Sequence, residues 1–351
     1  MTALTWWQSV SGSVFDGYQS GDWLVNYSGG FLRRGLFGQL LESTVPQDVS
    51  VFVALGIIQI VLLGMLYAIF AILFLRSDRS PSWFMVCLSP AVLIFPATNP
   101  EAAFRKEILA LLALGFLALG VQKGIRSWHL IVALPVYTLA LFSHEASIAV
   151  LPGFLFLIHN YCSGFRNLTA RILNVYLISV SALVGLLSLL FRGSIEQSEA
   201  ICRSWNARGI DMCSGGALSN MTISTRDSVD FLVSNYYPKY LFYLVVLAAA
   251  LIPLFLVRFL PKYWKLGLAV VVFLIPLFLV AWDYGRWIYI GITQLSLIAL
   301  ALGSKDVLAK PKRVPLILAL GYALLWGFAW YDEVWRAGLA VQLLQQLGII
   351  H

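Results

Sequence analysis

The chain has 351 residues, about 60% of them apolar and only 12% charged, with a mean hydropathy of +0.83. A water-soluble chain carries roughly 25% charged residues, so a large soluble fold is excluded and an integral membrane protein is indicated. The formal net charge is +7, yet the basic residues sit in short gaps between apolar runs and form no basic face with interleaved aromatics, which argues against a nucleic-acid partner.

Residues 1–49 contain no stretch long and apolar enough to span a bilayer. Met1 to Ser50 also lacks a basic n-region and a small-residue cleavage site, so an external N-terminal segment is expected rather than a signal peptide. Apolar runs follow near 51–75, 82–97, 107–122, 129–143, 146–160, 172–191, 240–259, 264–282, 287–303 and 314–331. A crossing takes about 20 apolar residues. The pattern therefore predicts an all-α, polytopic transmembrane helix bundle over 50–334, of about ten spans, with an external loop at 192–239. Residues 335–351 are expected to form an external tail or amphipathic helix. The runs near 82, 107, 129 and 146 are short and need flanking residues, little tilt or shielding by neighbours.

Orientation follows from the bias of lysine and arginine among short loops. One set of alternate gaps holds thirteen bases, Arg76 through Arg313, against Asp78 and Asp306, a net of +11; the other side carries eleven bases and fifteen acids, a net of −4. The first side is read as cytoplasmic. For a bacterial chain this places the protein in the inner (cytoplasmic) membrane, multi-pass, with both ends and the active face in the periplasm. Cys202 and Cys213, with ten residues between them in the longest polar segment, then lie in an oxidising compartment and are disulfide candidates.

The ionisable residues that are not in cytoplasmic loops gather at the outer ends of the runs. Arg33 and Arg34 follow Gly29-Gly30, and Glu101 precedes Arg105, Lys106 and Glu107. His144 and Glu145 sit between two short apolar runs. Asp283 and Arg286 precede another run, and Asp332, Glu333 and Arg336 come near the end. Charges at membrane depth cost on the order of 2.5 to 3.5 kcal/mol each on insertion scales, so this convergence predicts an outward-facing polar cavity.

Each cluster also has a structural reading. Arg33 and Arg34 are interfacial anchors or anion ligands. Glu101 and Arg105 are at helical spacing and can neutralise each other. His144 and Glu145 form a tight turn or line a cavity. Asp283 and Arg286 pair with each other or serve a substrate, and Asp332, Glu333 and Arg336 are read as a solvated helix start.

No Walker sequence, HExxH, zinc-spaced cysteine pair or Gly-rich strand-to-helix turn is present, so no cofactor and no metal are expected. Charges at one end of the spans, rather than at their centres, suit a one-sided enzyme better than alternating access. Glycosyl transfer from a polyprenyl-linked donor fits. Arginines would hold the phosphate leaving group, and a carboxylate or histidine would take the acceptor proton.

The segments Asn26 to Gly35, Phe104 to Glu107, His144-Glu145 and Asp283 to Trp287 resemble bacterial O-antigen and capsular polysaccharide polymerases of the Wzy type, which are polytopic glycosyltransferases. The resemblance implies metal-independent polymerisation of undecaprenyl-diphosphate-linked repeat units in surface polysaccharide biosynthesis, with a chain-length regulator protein as a possible partner. It also implies phosphate-binding roles for Arg33, Arg34, Arg105 and Arg286 and a base at His144 or Glu145; the residues themselves add Lys106 as a phosphate ligand and Asp283 as a rival base, and favour His144, whose ordinary pKa of about 6.5 leaves it largely neutral. The alternative enzyme is a GT-C-type transferase using a polyprenyl-monophosphate sugar, with Asp16 or Asp22 in the first external segment as base. A lipid-linked oligosaccharide flippase or another transporter is the reading from a different class.

Overall fold

The computed structural model describes the chain except residues 1–17, 100, 101, 103, 122, 123, 163–166, 212–215, 236–238, 304–307, 332–334, 350 and 351. Two short helices, α1 (Tyr18–Leu24) and α2 (Leu36–Thr44), lead into α3 (Val51–Leu75), a 25-residue apolar helix. Then come α4 (Pro81–Cys87), α5 (Ile94–Thr98), α6 (Ile108–Gly120), α7 (Ser127–Ser143), a 3-10 turn at Glu145–Val150, α8 (Leu151–Tyr161) and α9 (Asn167–Leu190). The polar segment after α9 folds as α10 (Ile195–Asn206), α11 (Gly216–Ser219), a 3-10 turn at Asn220–Thr222 and α12 (Thr225–Asn235). The remainder is α13 (Tyr240–Leu256), α14 (Phe259–Val280), α15 (Tyr284–Gly303), α16 (Leu316–Leu324), strands β1 (Trp326–Phe328) and β2 (Trp335–Ala337), and α17 (Leu339–Gln346).

Four of these helices, α3, α9, α14 and α15, are long and apolar enough to cross a membrane, and α12 with α13, which meet at 88°, make a fifth if counted as one broken span. The chain is thus a helical membrane protein. Its centre is α15, whose side chains are buried throughout. The faces of α3, α9 and α14 instead expose Ile57, Ile172, Leu186 and Leu279, as expected of lipid-facing surfaces.

Several expected spans take another form. The run near 82–97 is broken into α4 and α5, separated by a turn at Leu88–Leu93, and at about 1.5 Å per residue neither piece reaches across hydrocarbon. The run near 314–331 ends as α16 and continues into an antiparallel ribbon, β1 with β2, in which Phe328 faces Trp335. This ribbon departs from the all-α expectation. Aromatic cross-strand pairs favour extended pairing, and Asn99 Nδ2 donates to Phe328 O at 3.0 Å.

Residues 18–44 do not form a separate appendage, since Trp23, Leu24, Val25, Leu32, Phe37 and Leu41 belong to the same core as the long helices. Trp23 Nε1 donates to Phe104 O at 2.7 Å and Trp205 Nε1 to Leu24 O at 2.8 Å. A Cβ on Gly38 would sit 2.1 Å from Val25 O, so only glycine lets α2 fold back against the end of α1. In the polar segment, Ser194 and Gln197 cap α10 reciprocally, with Gln197 N donating to Ser194 Oγ at 3.2 Å and Ser194 N to Gln197 Oε1 at 3.0 Å. This is the capping-box arrangement. Cys202 is disulfide-bonded and buried, whereas Cys87 and Cys162 are free thiols; Cys213 lies outside the described residues. The C-terminal α17 has no buried residue.

Candidate functional site

The first element of the site is the loop at 26–35. Asn26 is fully buried, and its Nδ2 donates to Glu42 Oε2 at 2.8 Å and to Ser204 Oγ at 3.0 Å, while its Oδ1 accepts from Ser28 N at 3.1 Å. Gly30 turns the chain with φ 98°, and Arg33 N donates to Phe191 O at 3.0 Å. Arg34 then takes φ 70°, a left-handed conformation that costs a non-glycine residue about 1 kcal/mol or more. Its carbonyl is held by Lys106 Nζ at 2.9 Å, and the same ammonium donates to Ser143 O at 3.1 Å. Lys106 therefore links the N-terminal loop, the approach to α6 and the end of α7. Burial pushes its pKa down to about 8, so it stays largely protonated at neutral pH.

Where α7 ends, the backbone turns at His144 and a 3-10 turn begins. Glu145 accepts two hydrogen bonds from Arg34 Nε, at 2.9 and 3.0 Å, and a further one from Arg34 Nη2, while Arg33 Nη1 lies 3.4 Å away. These three side chains keep 18 to 27% of their surface exposed and form the open edge of the cluster. Phe31 and Phe191 border it, edge to face with centroids 5.1 Å apart, and Tyr27 stacks on Phe31.

Deeper in, His144 Nδ1 accepts from Ala146 N at 3.1 Å, and Nε2 faces Glu107 Oε1 at 3.6 Å. The acceptor role of Nδ1 assigns the proton of the neutral ring to Nε2. In this tautomer neither nitrogen has a lone pair free for a substrate proton. Burial brings the His144 pKa down to about 4, which keeps the ring neutral. Glu107 Oε1 also lies 3.6 Å from Arg286 Nη1, and Arg286 Nη2 donates to Asp283 Oδ2 at 2.5 Å. The Arg286 guanidinium rests over the Trp287 ring, 4.5 Å from its centroid. Arg105 is buried nearby; burial and the Arg286 charge lower its pKa.

The sequence-predicted residues Arg33, Arg34, Arg105, Lys106, His144, Glu145, Asp283 and Arg286 thus converge in one network, together with two carboxylates to which the sequence assigned less weight. Glu107 joins His144 to Arg286. Asp22 on α1 is fully buried, and neither of its oxygens has a hydrogen-bond partner. Burial opposes its ionisation, but Lys106, His144, Arg105 and Arg34 outweigh that and hold its pKa well below the usual carboxylate range. The network holds five cationic side chains and four carboxylates. The sequence offered Asp22 only as the base of the alternative transferase, because its surroundings come from residues 12 to 122 positions away; Asp16, offered with it, lies outside the described residues.

Comparison with protein-family models, with curated proteins and with solved structures finds no match. The geometry therefore carries the functional argument alone.

Two expectations change form here. Arg336 lies on β2 rather than at a helix start, and its Nη1 donates to Asn99 Oδ1 at 2.9 Å, fixing the ribbon to the chain before the cluster; Asp332 and Glu333 are outside the described residues. Glu101, the expected helical partner of Arg105, is also outside them. Among the described residues no group of three or more His, Cys, Asp or Glu side chains could hold a metal ion.

Proposed function

We propose that this chain is a metal-independent membrane glycosyltransferase that takes a sugar from a polyprenyl-phosphate or polyprenyl-diphosphate donor at the outer, periplasmic face. The observation that carries the reading is the buried network itself, in which Arg34, Arg105 and Lys106 from two distant segments hold Asp22 ionised with no hydrogen-bond partner, while Arg286 joins from a third segment through Glu107. Such a carboxylate has acceptor capacity for a ligand hydroxyl, and the arginines supply planar forks for phosphate oxygens. The aromatic faces of Tyr27, Phe31 and Phe191 at the open edge suit a sugar ring.

In this account a ligand enters by parting the Arg33 and Arg34 ion pairs with Glu145. Arg105 and Arg286 then hold the phosphate that departs as the glycosidic bond forms. Asp22 orients the acceptor hydroxyl and takes its proton late, as the forming glycosidic bond makes that hydroxyl acidic enough for a carboxylate whose pKa is held low, and His144, locked by Ala146 N and Glu107, keeps Glu107 in place opposite Arg286. Asp283 orients Arg286. In this account α4 with α5, and α16 with its ribbon, each cross as one broken segment, which keeps about ten crossings, an outward cavity and the +11 face in the cytoplasm, with the shorter α6, α7 and α8 shielded by the long helices.

Polymerisation of repeat units is the first form of this activity. Transfer from a monophosphate donor is the second, with Asp22 of the first external segment as its base. Deletion of the gene in its native strain, with the surface polysaccharide run on a gel, tests both. Collapse of a ladder to one repeat unit supports polymerisation, whereas loss of a single sugar supports the monophosphate transferase. Unchanged polysaccharide and glycolipid would contradict the proposal.

A further inference from the structure

Apart from the ionic network, one concave feature stands out. Between α13 and α14, with α15 as its floor, lies a groove of about 550 Å³, a size typical of small-molecule sites at roughly 300 to 1,000 Å³. Leu247 and Leu251 form one wall, Leu268 and Val271 the other, and Gly291 and Leu295 the floor. Its lining runs along α13 from Tyr240 to Phe255, about 22 Å at 1.5 Å per residue. That is more than half of a hydrocarbon core of roughly 30 Å, so the groove extends beyond the single leaflet that a phospholipid chain occupies.

Its upper end meets the ionic network. Tyr240, Tyr243 and Phe278 there pack on Tyr284, with ring centroids 4.9, 5.3 and 5.5 Å away. Tyr284 directly follows Asp283, the carboxylate that binds Arg286. The groove-lining positions Ile288, Gly291, Ile292 and Leu295 share one face of α15, and Arg286 leaves the helix on another. Groove and network therefore meet at the N-terminal end of this helix. Arg286 Nε and Nη1 are buried and make no hydrogen bond, so its guanidinium retains donors for an anion.

We infer that this groove binds the isoprenoid chain of a long polyprenyl phosphate, with the phosphate reaching Arg286 over the start of α15. The inference deepens the proposed function, since it names where the lipid part of that donor lies. A chain that enters an apolar groove and ends in a phosphate matches an apolar lining whose end packs on Tyr284, two residues along α15 from the buried Arg286. A phospholipid matches the charge but not the length of the groove.

The test uses the purified full-length protein in nanodiscs of phosphatidylethanolamine and phosphatidylglycerol, labelled with a diazirine-bearing polyprenyl phosphate and mapped by mass spectrometry. The expected result is labelling on α13 and α14 that unlabelled undecaprenyl phosphate removes and excess phosphatidylglycerol does not. Leu247→Trp and Val271→Trp, which fill the groove without touching the ionic network, should each cut labelling about tenfold, the effect of roughly 1.4 kcal/mol. A monodisperse elution profile shows that these variants are folded. Labelling removed equally by phosphatidylglycerol, labelling confined to other helices, or full labelling of both folded variants would overturn the inference. Groove labelling without any sugar transfer by the wild type would uphold the lipid site and count against the transferase. Normal transfer by both folded variants would do the reverse.

Discussion

Arg34 and Glu145, 111 residues apart, are joined through Arg34 Nε at 2.9 and 3.0 Å from the two carboxylate oxygens, so one ion pair fastens the N-terminal loop to the turn that ends α7. The left-handed backbone of Arg34 is tolerated because this pair and the Lys106 ammonium hold the residue from both ends. Charge-assisted hydrogen bonds contribute about 1.5 to 3 kcal/mol each. The side chains are partly exposed, which weakens the pair. A double-mutant cycle with Arg34→Gln and Glu145→Gln, read by thermal unfolding in detergent, should give a coupling of about 0.5 to 3 kcal/mol. Strict additivity would show that the two side chains do not act together.

Neutral replacement of Arg286 should raise the KM for a polyprenyl-linked donor or lower kcat by roughly 10- to 150-fold, the loss of about 1.5 to 3 kcal/mol. Arg286→Lys should recover only part of it, because an ammonium lacks the planar fork. Steady-state kinetics with varied donor concentration separates the two parameters. Full activity of Arg286→Gln at normal expression would remove this residue from the site.

Acid should loosen the network through His144, which lies past the end of α7. Its folded-state pKa is about 4, against an ordinary value of 6.5. The unfolded chain therefore binds a proton in the interval where the folded chain does not, and stability must fall as pH drops from about 6.5 towards 4. The loss grows by about 1.4 kcal/mol per pH unit at most. Thermal unfolding followed across this range should show a steeper decline for the wild type than for His144→Gln. Parallel declines would mean that His144 does not titrate out of a neutral buried state.

The proposed orientation places Ser77 in the cytoplasm and Ser194 outside. With Cys87 and Cys162 replaced, an impermeant thiol reagent added to cells with a permeabilised outer membrane should label Ser194→Cys and spare Ser77→Cys. The reverse pattern would invert the membrane orientation and move the ionic network to the cytoplasmic face.

The membrane class and the long helices were legible in the sequence because they depend on unbroken apolar runs, as in Val51–Leu75 and Phe259–Val280. The same criterion misleads near Trp83 and Trp326, where the chain stays apolar but turns or pairs as a ribbon. There, local composition matches both a span and a buried irregular segment. The candidate cations were legible for a related reason: a charge at the end of an apolar run is costly and so stands out. Their partners were not. Asp22 gains its environment from Lys106, His144 and Arg105, and the bond from Ala146 N to His144 Nδ1 depends on how α7 ends. Both arise from tertiary packing.

The most direct test of the account is single-turnover sugar transfer by purified protein supplied with polyprenyl-phosphate or diphosphate sugar and an acceptor, comparing the wild type with Asp22→Asn while donor binding is measured in parallel. The account predicts measurable transfer by the wild type and a loss of about 10²- to 10⁴-fold in Asp22→Asn, with donor binding retained. A rate for Asp22→Asn close to that of the wild type would contradict the role of Asp22 as proton acceptor. Absence of transfer by a folded wild type across both donor classes would contradict the assignment of the protein as a glycosyltransferase.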